Sequence, residues 1–285
     1  MELNRVNDLY FKYLMGSEQR KEITIRFLND TLYGQQPVIQ DITFLNNEMI
    51  LEDEREKLSR LDILADTGNG YVDIEVQLRN HRKLAERFLY YWAKLYSREL
   101  NPGDSYDTLR PTVSIILMNF SFLQEPDWHN VYHIYNDRSR RKLTEDFGIH
   151  TIELPKFSYS DVKKLYGLSK WTAYFTNCST TDVEAMAMGD PVMEKVLQAQ
   201  ERFVHDDALW TKYMLREKAI RDYNSDIKEA LETGMAQGME KGIETNRLET
   251  ALAMLRHDLP VSMIAACTKL TEPEIIALAK EHHIE

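Results

Sequence analysis

The sequence predicts an α/β fold in which helices flank a mixed β-sheet and an all-helical region follows. The first observation is a hairpin at residues 61–77, where carboxylates interrupt two otherwise apolar strands. The second is a nearly continuous apolar run at residues 112–118, which is typical of a central strand buried on both faces. The third is that helical periodicity replaces strand patterns from Asp161 onward.

The segments on either side of the hairpin complete this sheet. Residues 4–32 predict one or two helices, because their apolar residues recur at helical spacing. A first strand is expected at residues 38–44. After the hairpin, residues 81–100 predict a long helix that a Pro-Gly pair ends. Further strands are expected at residues 111–120, 131–135 and 149–154.

The composition is that of an ordinary globular protein, with 285 residues, 43% of them hydrophobic and 28% charged. No apolar run reaches the roughly 20 residues that a membrane span needs. The N-terminus lacks the apolar core of a signal peptide. Cys178 and Cys267 are isolated, which fits buried thiols in a reducing compartment. We therefore expect a cytoplasmic protein with no membrane partner.

The net charge of −11 argues against a protein that coats nucleic acid electrostatically. It leaves room for a local basic groove, because a few acidic regions can dominate the total. The densest basic cluster predicts a solvated loop between two strands, with a groove as the alternative. The residues of this basic cluster are Arg138, Arg140, Arg141 and Lys142.

The turn of the hairpin predicts its register. It reads Asp-Thr-Gly-Asn-Gly, residues that tolerate positive φ, and a four-residue loop after Asp66 is a common length. Asp66 then pairs with Tyr71, and Asp62 stands directly opposite Glu75. The period of two places Gln77 on the same face, so Asp62, Glu75 and Gln77 converge. A five-residue loop would instead send Asp62 to the opposite face.

These residues resemble a known signature. Asp62 followed by Glu75-Val76-Gln77 resembles the Asp…(Asp/Glu)-x-Lys signature of the PD-(D/E)XK nuclease superfamily. The order of the surrounding motifs is similar to the recombination-promoting nuclease (Rpn) and transposase-like branch of that superfamily. The resemblance covers residues 5–160 well and implies a restriction-endonuclease-like sheet. Its motifs are Asn7-Asp8-Leu9-Tyr10-Phe11-Lys12, Phe27-Leu28-Asn29, Leu61-Asp62-Ile63, Ile74-Glu75-Val76-Gln77, Glu86-Arg87-Phe88-Leu89-Tyr90-Tyr91 and Gly103-Asp104-Ser105-Tyr106.

The resemblance implies a metal-dependent nuclease that cuts DNA and takes part in recombination. Asp62, Glu75 and the backbone carbonyl of Val76 would hold Mg²⁺ or Mn²⁺. Gln77 stands where the superfamily usually has a catalytic lysine, so it orients water but brings no positive charge. The structural alternative is that Asp62 is a strand-edge charge and that Glu75 pairs with a nearby base, either Lys57 or Arg60.

The missing positive charge has to come from elsewhere in the chain. Lys12 and Arg87 are the candidates for phosphate binding, and Tyr91 is a candidate for DNA contact. Each has a structural alternative: Lys12 as a surface lysine, Arg87 as a partner of Glu86 or Asp73, and Tyr91 as a core or rim aromatic. Asp73 itself is expected to be an exposed strand charge, with a third acid of the site as the alternative.

We expect a nuclease-like core at residues 1–160, a helical extension at 161–225 and a helical C-terminal module at 226–285. Glycine recurs at every fourth position at Gly234, Gly238 and Gly242. In a helix each glycine costs about 1 kcal/mol relative to alanine. Either another helix approaches this face closely, or the segment is a pliable linker.

The C-terminal module predicts contacts between proteins. Residues 259–275 resemble a helix-turn-helix, but Glu272 and Glu274 stand where a DNA reader would carry Arg, Lys or Asn. We therefore expect a homo-oligomer that forms through these helices. The alternative to an active DNA endonuclease is a catalytically weak or inactive nuclease-fold protein that acts in assembly or regulation. A transposase with strand-transfer activity is a third hypothesis.

Overall fold

The computed structural model describes residues 3–45, 62–98 and 100–284 of the chain. Within these residues, six strands form one mixed sheet in the order β1-β2-β3-β4-β6-β5. Strands β3, β4 and β6 are parallel to one another, and the other neighbours pair antiparallel. The sheet confirms the predicted α/β class. The strands are β1 (Thr43–Phe44), β2 (Ile63–Asp66), β3 (Tyr71–Gln77), β4 (Thr112–Met118), β5 (His129–Tyr132) and β6 (Phe147–Glu153).

The central strand is confirmed, whereas the first strand is shorter than predicted. In β4 every residue except Val113 is buried, as the apolar run indicates. Of the predicted residues 38–44, only Thr43–Phe44 pairs with the sheet. The reason is that the Asn29 side chain bonds both the N–H and the C=O of Ile39, at 2.8 Å each. The backbone there satisfies its hydrogen bonds without a neighbouring strand.

Helices pack on both faces of the sheet. Those on the first face share the main hydrophobic core with the apolar side of β3, including Val72 and Ile74. The first-face helices are α1 (Asp8–Met15), α2 (Lys21–Leu32), α4 (Leu168–Phe175), α5 (Thr180–Ala187) and α6 (Pro191–His205).

The second face carries one helix, α3 (Leu84–Tyr96), within the described residues. Its Leu84 and Phe88 form a separate apolar cluster with Ile116 and Met118 of β4. The helix begins after Lys83, whose φ of 63° turns the chain, and so it is shorter than the predicted 81–100. Glu75 pairs in register with Ile116 and therefore lies on this face. The polar side of the hairpin thus faces α3.

The chain divides into two compact units, residues 1–216 and 217–285. Helix α7 (Asp207–Arg256) contains the three spaced glycines, so this segment is helical in the structure. Helices α8 (Val261–Thr268) and α9 (Glu272–Glu281) pack against the end of α7 around Ala251 and Ile264. Among the described residues, no helix is long and apolar enough to cross a membrane.

Candidate active site

The β2–β3 hairpin has the register that its turn predicts. Asp66 pairs with Tyr71 and Ile63 with Ile74, so the four-residue loop is confirmed. The loop closes through the Thr67 N–H, which donates to the Gly70 carbonyl at 2.9 Å. Extending this register by one pair sets Asp62 against Glu75, on the α3 side of the sheet.

Asp62 lies just before β2 and is tied to both β3 and α1. Its Oδ2 accepts the Val76 N–H at 2.9 Å, and its Oδ1 lies 3.2 Å from the Lys12 Nζ. Burial raises the pKa of the Asp62 carboxyl, although the Val76 N–H and Lys12 act to lower it. The side chain keeps 15% of its surface exposed, so solvent and ligands can reach it.

Glu75 is a buried acid whose pKa is strongly raised. Burial, followed by the charge of Asp62, raises the pKa of Glu75 to about 7, against the opposing influence of Arg87 and Gln77. The Gln77 Nε2 donates to the Glu75 Oε2 at 2.9 Å. A carboxyl with this pKa is half ionised near neutral pH, and a cation beside it would complete the ionisation.

The Val76 carbonyl lies on the Asp62 side of β3. The Gln77 carbonyl accepts the Asn119 N–H at 3.0 Å, at the edge of β3 that faces β4. Successive carbonyls of a strand point to opposite edges, so the Val76 carbonyl points toward β2. This is also the edge where the Val76 N–H meets Asp62. A third oxygen donor is therefore available beside the two carboxylates.

Asp73 is buried, which corrects the expectation of an exposed strand charge. Only 2% of its surface is exposed, because α3 covers this face of the sheet. Its Oδ1 has no hydrogen-bond partner, and neither has the Oγ of Ser114, its register neighbour in β4. Burial, then the charges of Glu75 and Asp62, raise the pKa of Asp73 well above its usual value. Burial therefore disfavours the ionised form of this carboxyl.

Arg87 brings positive charge to Glu75 from helix α3. Its guanidinium carbon lies 5.6 Å from the centre of the Tyr91 ring, and its charge lowers the pKa of Glu75. Neither expected partner takes it: Glu86 pairs with Lys83 at 3.7 Å, and Asp73 forms no ion pair in the described chain. Its Nε is buried without a hydrogen-bond partner. This Nε is thus a buried donor that the described residues leave without an acceptor. The other bases considered for Glu75, Lys57 and Arg60, lie outside the described residues.

Two residues near the site were not assigned a role from the sequence. Asp8 lies one turn before Lys12 on α1, and it binds Arg216 of α7 in a two-pronged ion pair. The charges of Asp8 and Arg216 both interact electrostatically with Asp62. The spacing of Asp8 and Lys12 is a signal in the sequence, whereas nothing in it links Arg216 to residues 204 or more positions earlier.

A model of the family described as PD-(D/E)XK nuclease family transposase matches residues 5–230 of the chain. The chain belongs to this family. The match confirms the resemblance to the Rpn branch and the restriction-endonuclease-like fold, and it runs past residue 160 into α7. No curated protein and no solved structure matches the chain.

Nucleases of the PD-(D/E)XK family generally use divalent metals. Within residues 3–45, 62–98 and 100–284, no group of three or more His, Cys, Asp or Glu side chains is arranged to hold a metal ion. The hairpin instead offers the carboxylates of Asp62 and Glu75 together with the Val76 carbonyl. Mg²⁺ takes one or two carboxylates and keeps several waters, so this donor set fits it.

The basic cluster lies at the opposite end of the sheet from the PD-(D/E)XK hairpin acids. It belongs to the exposed loop between β5 and β6, and β6 begins at Phe147. Glu75 is near the far end of β3, which runs parallel to β4 and β6. Glu75 is level with Thr151, four residues after the start of β6, so the loop begins roughly 13 Å away along the strands. The solvated-loop interpretation fits this position.

Proposed function

We propose that this member of the PD-(D/E)XK nuclease family is a metal-dependent DNA endonuclease, which hydrolyses phosphodiester bonds during recombination. The observation that carries the proposal is the pairing of Asp62 with Glu75, whose pKa is about 7. Burying such an acid destabilises the fold, and a structural role does not require it. A divalent cation bound by the two carboxylates would offset that cost.

Each residue of the hairpin has its own role in the proposed hydrolysis. A bound Mg²⁺ or Mn²⁺ would supply an activated water and neutralise charge on the phosphate. Asp62, Glu75 and the Val76 carbonyl would hold the ion. Gln77 keeps Glu75 in place through its Nε2, as in the 2.9 Å hydrogen bond. Its amide oxygen can then accept a hydrogen bond from the attacking water and orient it.

Lys12 and Arg87 replace the charge of the missing catalytic lysine. Lys12 lies beside Asp62, where its ammonium would neutralise charge on the scissile phosphate. Arg87 holds a second phosphate oxygen with its planar guanidinium, which rests near the Tyr91 ring. This arrangement places one positive charge on either side of the two acids.

Cleavage of a closed circular DNA tests the proposal, because only an endonuclease can open it. We expect cleavage with Mg²⁺ or Mn²⁺ and none with EDTA, and we expect Asp62→Asn and Glu75→Gln to lower the rate at least 100-fold. Asp41→Asn, which removes an exposed partner of Lys21 on the surface, is the matched control. If the parent protein binds neither metal and Asp62→Asn cuts as fast as the parent, the proposal is wrong.

A second function, assembly through the C-terminal helices, is favoured by one surface of α7. Six large apolar side chains are exposed there at every fourth position, with Met235 and Met239 66% and 71% exposed. A row of glycines runs beside them, and a Cβ added to any of these glycines would meet nothing within 4 Å. We name the large residues the apolar row: Tyr223, Ile227, Leu231, Met235, Met239 and Ile243.

The apolar row and the glycine row complement each other. Rows of residues four apart form ridges, and two helices whose ridges interlock in this way cross at about −50°. The apolar row of one copy can enter the glycine groove of a second copy, and the reverse contact follows by two-fold symmetry. We therefore propose that the protein forms a homo-oligomer through α7, as the glycine spacing already indicates.

Gly238→Leu tests this surface, because it should stabilise the helix itself and weaken the contact between two copies. The substitution favours helix by about 1 kcal/mol, so circular dichroism should show no loss of helicity. It also fills the groove, so light scattering should show dissociation of the oligomer at micromolar concentration. Ala236→Leu adds the same bulk outside both rows and should leave the oligomer intact. A parent that is monomeric, or a Gly238→Leu variant that still assembles, contradicts the proposal.

A further inference from the structure

We infer that Arg216 is a positioning residue of the candidate active site: by binding Asp8 it leaves Lys12 to Asp62. This inference rests on the proposed function, since it concerns the cation that replaces the missing catalytic lysine. It also assigns a role at the site to the helical region, which lies far from the hairpin in sequence.

Four charged side chains form two ion pairs around α1. The Arg216 Nε and Nη2 donate to the two Asp8 carboxylate oxygens at 3.1 and 2.7 Å. The Lys12 Nζ lies 3.2 Å from the Asp62 Oδ1. Asp8 and Lys12 are one helical turn apart, and the charge of Asp8 acts to raise the pKa of Asp62. Each acid therefore has a different cation, although one lysine is within reach of both.

Without Arg216, the local chemistry of α1 would pair Lys12 with Asp8. An acid four residues before a lysine is the favourable order for an ion pair within a helix. Arg216 prevents this pair, because a planar guanidinium binds both carboxylate oxygens at once and a lysine ammonium does not. Lys12 is thus directed away from its own helix and toward the hairpin.

The alternative is that the Arg216–Asp8 pair only holds the start of α7 against α1. The two interpretations predict different results for a double substitution. If the pair only fastens one helix to another, removing both partners leaves the contact broken, and the double variant stays as slow as the single one. If Arg216 acts by occupying Asp8, Asp8→Asn removes the competitor and returns Lys12 to Asp62.

Crystal structures and cleavage rates of matched variants test the inference. In Arg216→Met we expect the Lys12 Nζ within 4 Å of Asp8 instead of Asp62, and a rate of DNA cleavage about tenfold lower. In Asp8→Asn/Arg216→Met we expect the position of the Lys12 Nζ and the rate of DNA cleavage to return to those of the parent. In a Lys12→Met background, Arg216→Met should lower the rate less than about twofold, because its effect passes through Lys12.

Lys195→Met is the control for the loss of an exposed ion pair between helices, since Lys195 binds Glu22 at 2.7 Å on the first face of the sheet. It should cut DNA at the rate of the parent. The inference is overturned if Lys12 stays at Asp62 in Arg216→Met, or if the double variant remains as slow as the single one. Failure of the proposed function gives a different result: no variant cuts DNA, while the crystal structures still decide where Lys12 lies.

Discussion

Replacing Glu75 by glutamine should stabilise the metal-free protein above neutral pH while it abolishes DNA cleavage. Glu75 is buried against α3, and burial, then the charge of Asp62, raises its pKa from 4.5 to about 7. The folded protein therefore bears the cost of ionising this side chain at alkaline pH. Glutamine keeps the shape, and its amide oxygen can still accept the hydrogen bond from Gln77.

The sign and size of the effect follow from proton linkage. Between pH 4.5 and about 7 the folded protein keeps the Glu75 proton that the unfolded chain releases. Because the native state binds more protons there, the free energy of unfolding falls as the pH rises. At 1.36 kcal/mol per pH unit, this window is worth about 3 kcal/mol.

Urea unfolding in EDTA at pH 5, 6, 7 and 8 measures this difference. We expect Glu75→Gln to match the parent near pH 5 and to exceed it by about 3 kcal/mol at pH 8. Glu22→Gln, which alters a half-exposed acid on α2, should stay within about 0.5 kcal/mol of the parent. A Glu75→Gln variant that is less stable than the parent at pH 8, or a difference that does not change with pH, would refute the reasoning.

Three further predictions concern the same hairpin. Mg²⁺ or Mn²⁺ at 100 times its dissociation constant should stabilise the parent by about 2.7 kcal/mol and leave Asp62→Asn unchanged, which thermal unfolding would detect. Gln77→Lys places an ammonium beside Glu75, so it should raise stability at pH 8 and speed single-turnover cleavage; a slower variant would mean that the amide oxygen of Gln77 is itself required. Gly70→Ala should cost about 1–3 kcal/mol in urea unfolding, because the new Cβ would lie 2.3 Å from the Pro111 carbonyl, and an unaltered midpoint would contradict that contact.

The sequence alone determined the register of the hairpin. Its register depends on a four-residue loop and on the period of two in a strand, and both are local properties. The pairing of Asp66 with Tyr71 and of Ile63 with Ile74, and the position of Gln77 beside Glu75, follow from them and are found in the structure. The sequence also predicted the buried central strand, because a short, nearly continuous apolar run is typical of a strand that is buried on both faces.

The tertiary structure decided what surrounds those acids. Asp73 is buried because α3 covers its side of the sheet, and alternation along a strand does not say which face is covered. The first strand is short because Asn29, from a helix, binds Ile39. The same holds for the positive charge near the site: Lys12 meets Asp62, and Arg216 meets Asp8, only after the chain has folded. The sequence therefore specified the acids, whose spacing is local, whereas folding supplied the cations, which come from distant segments.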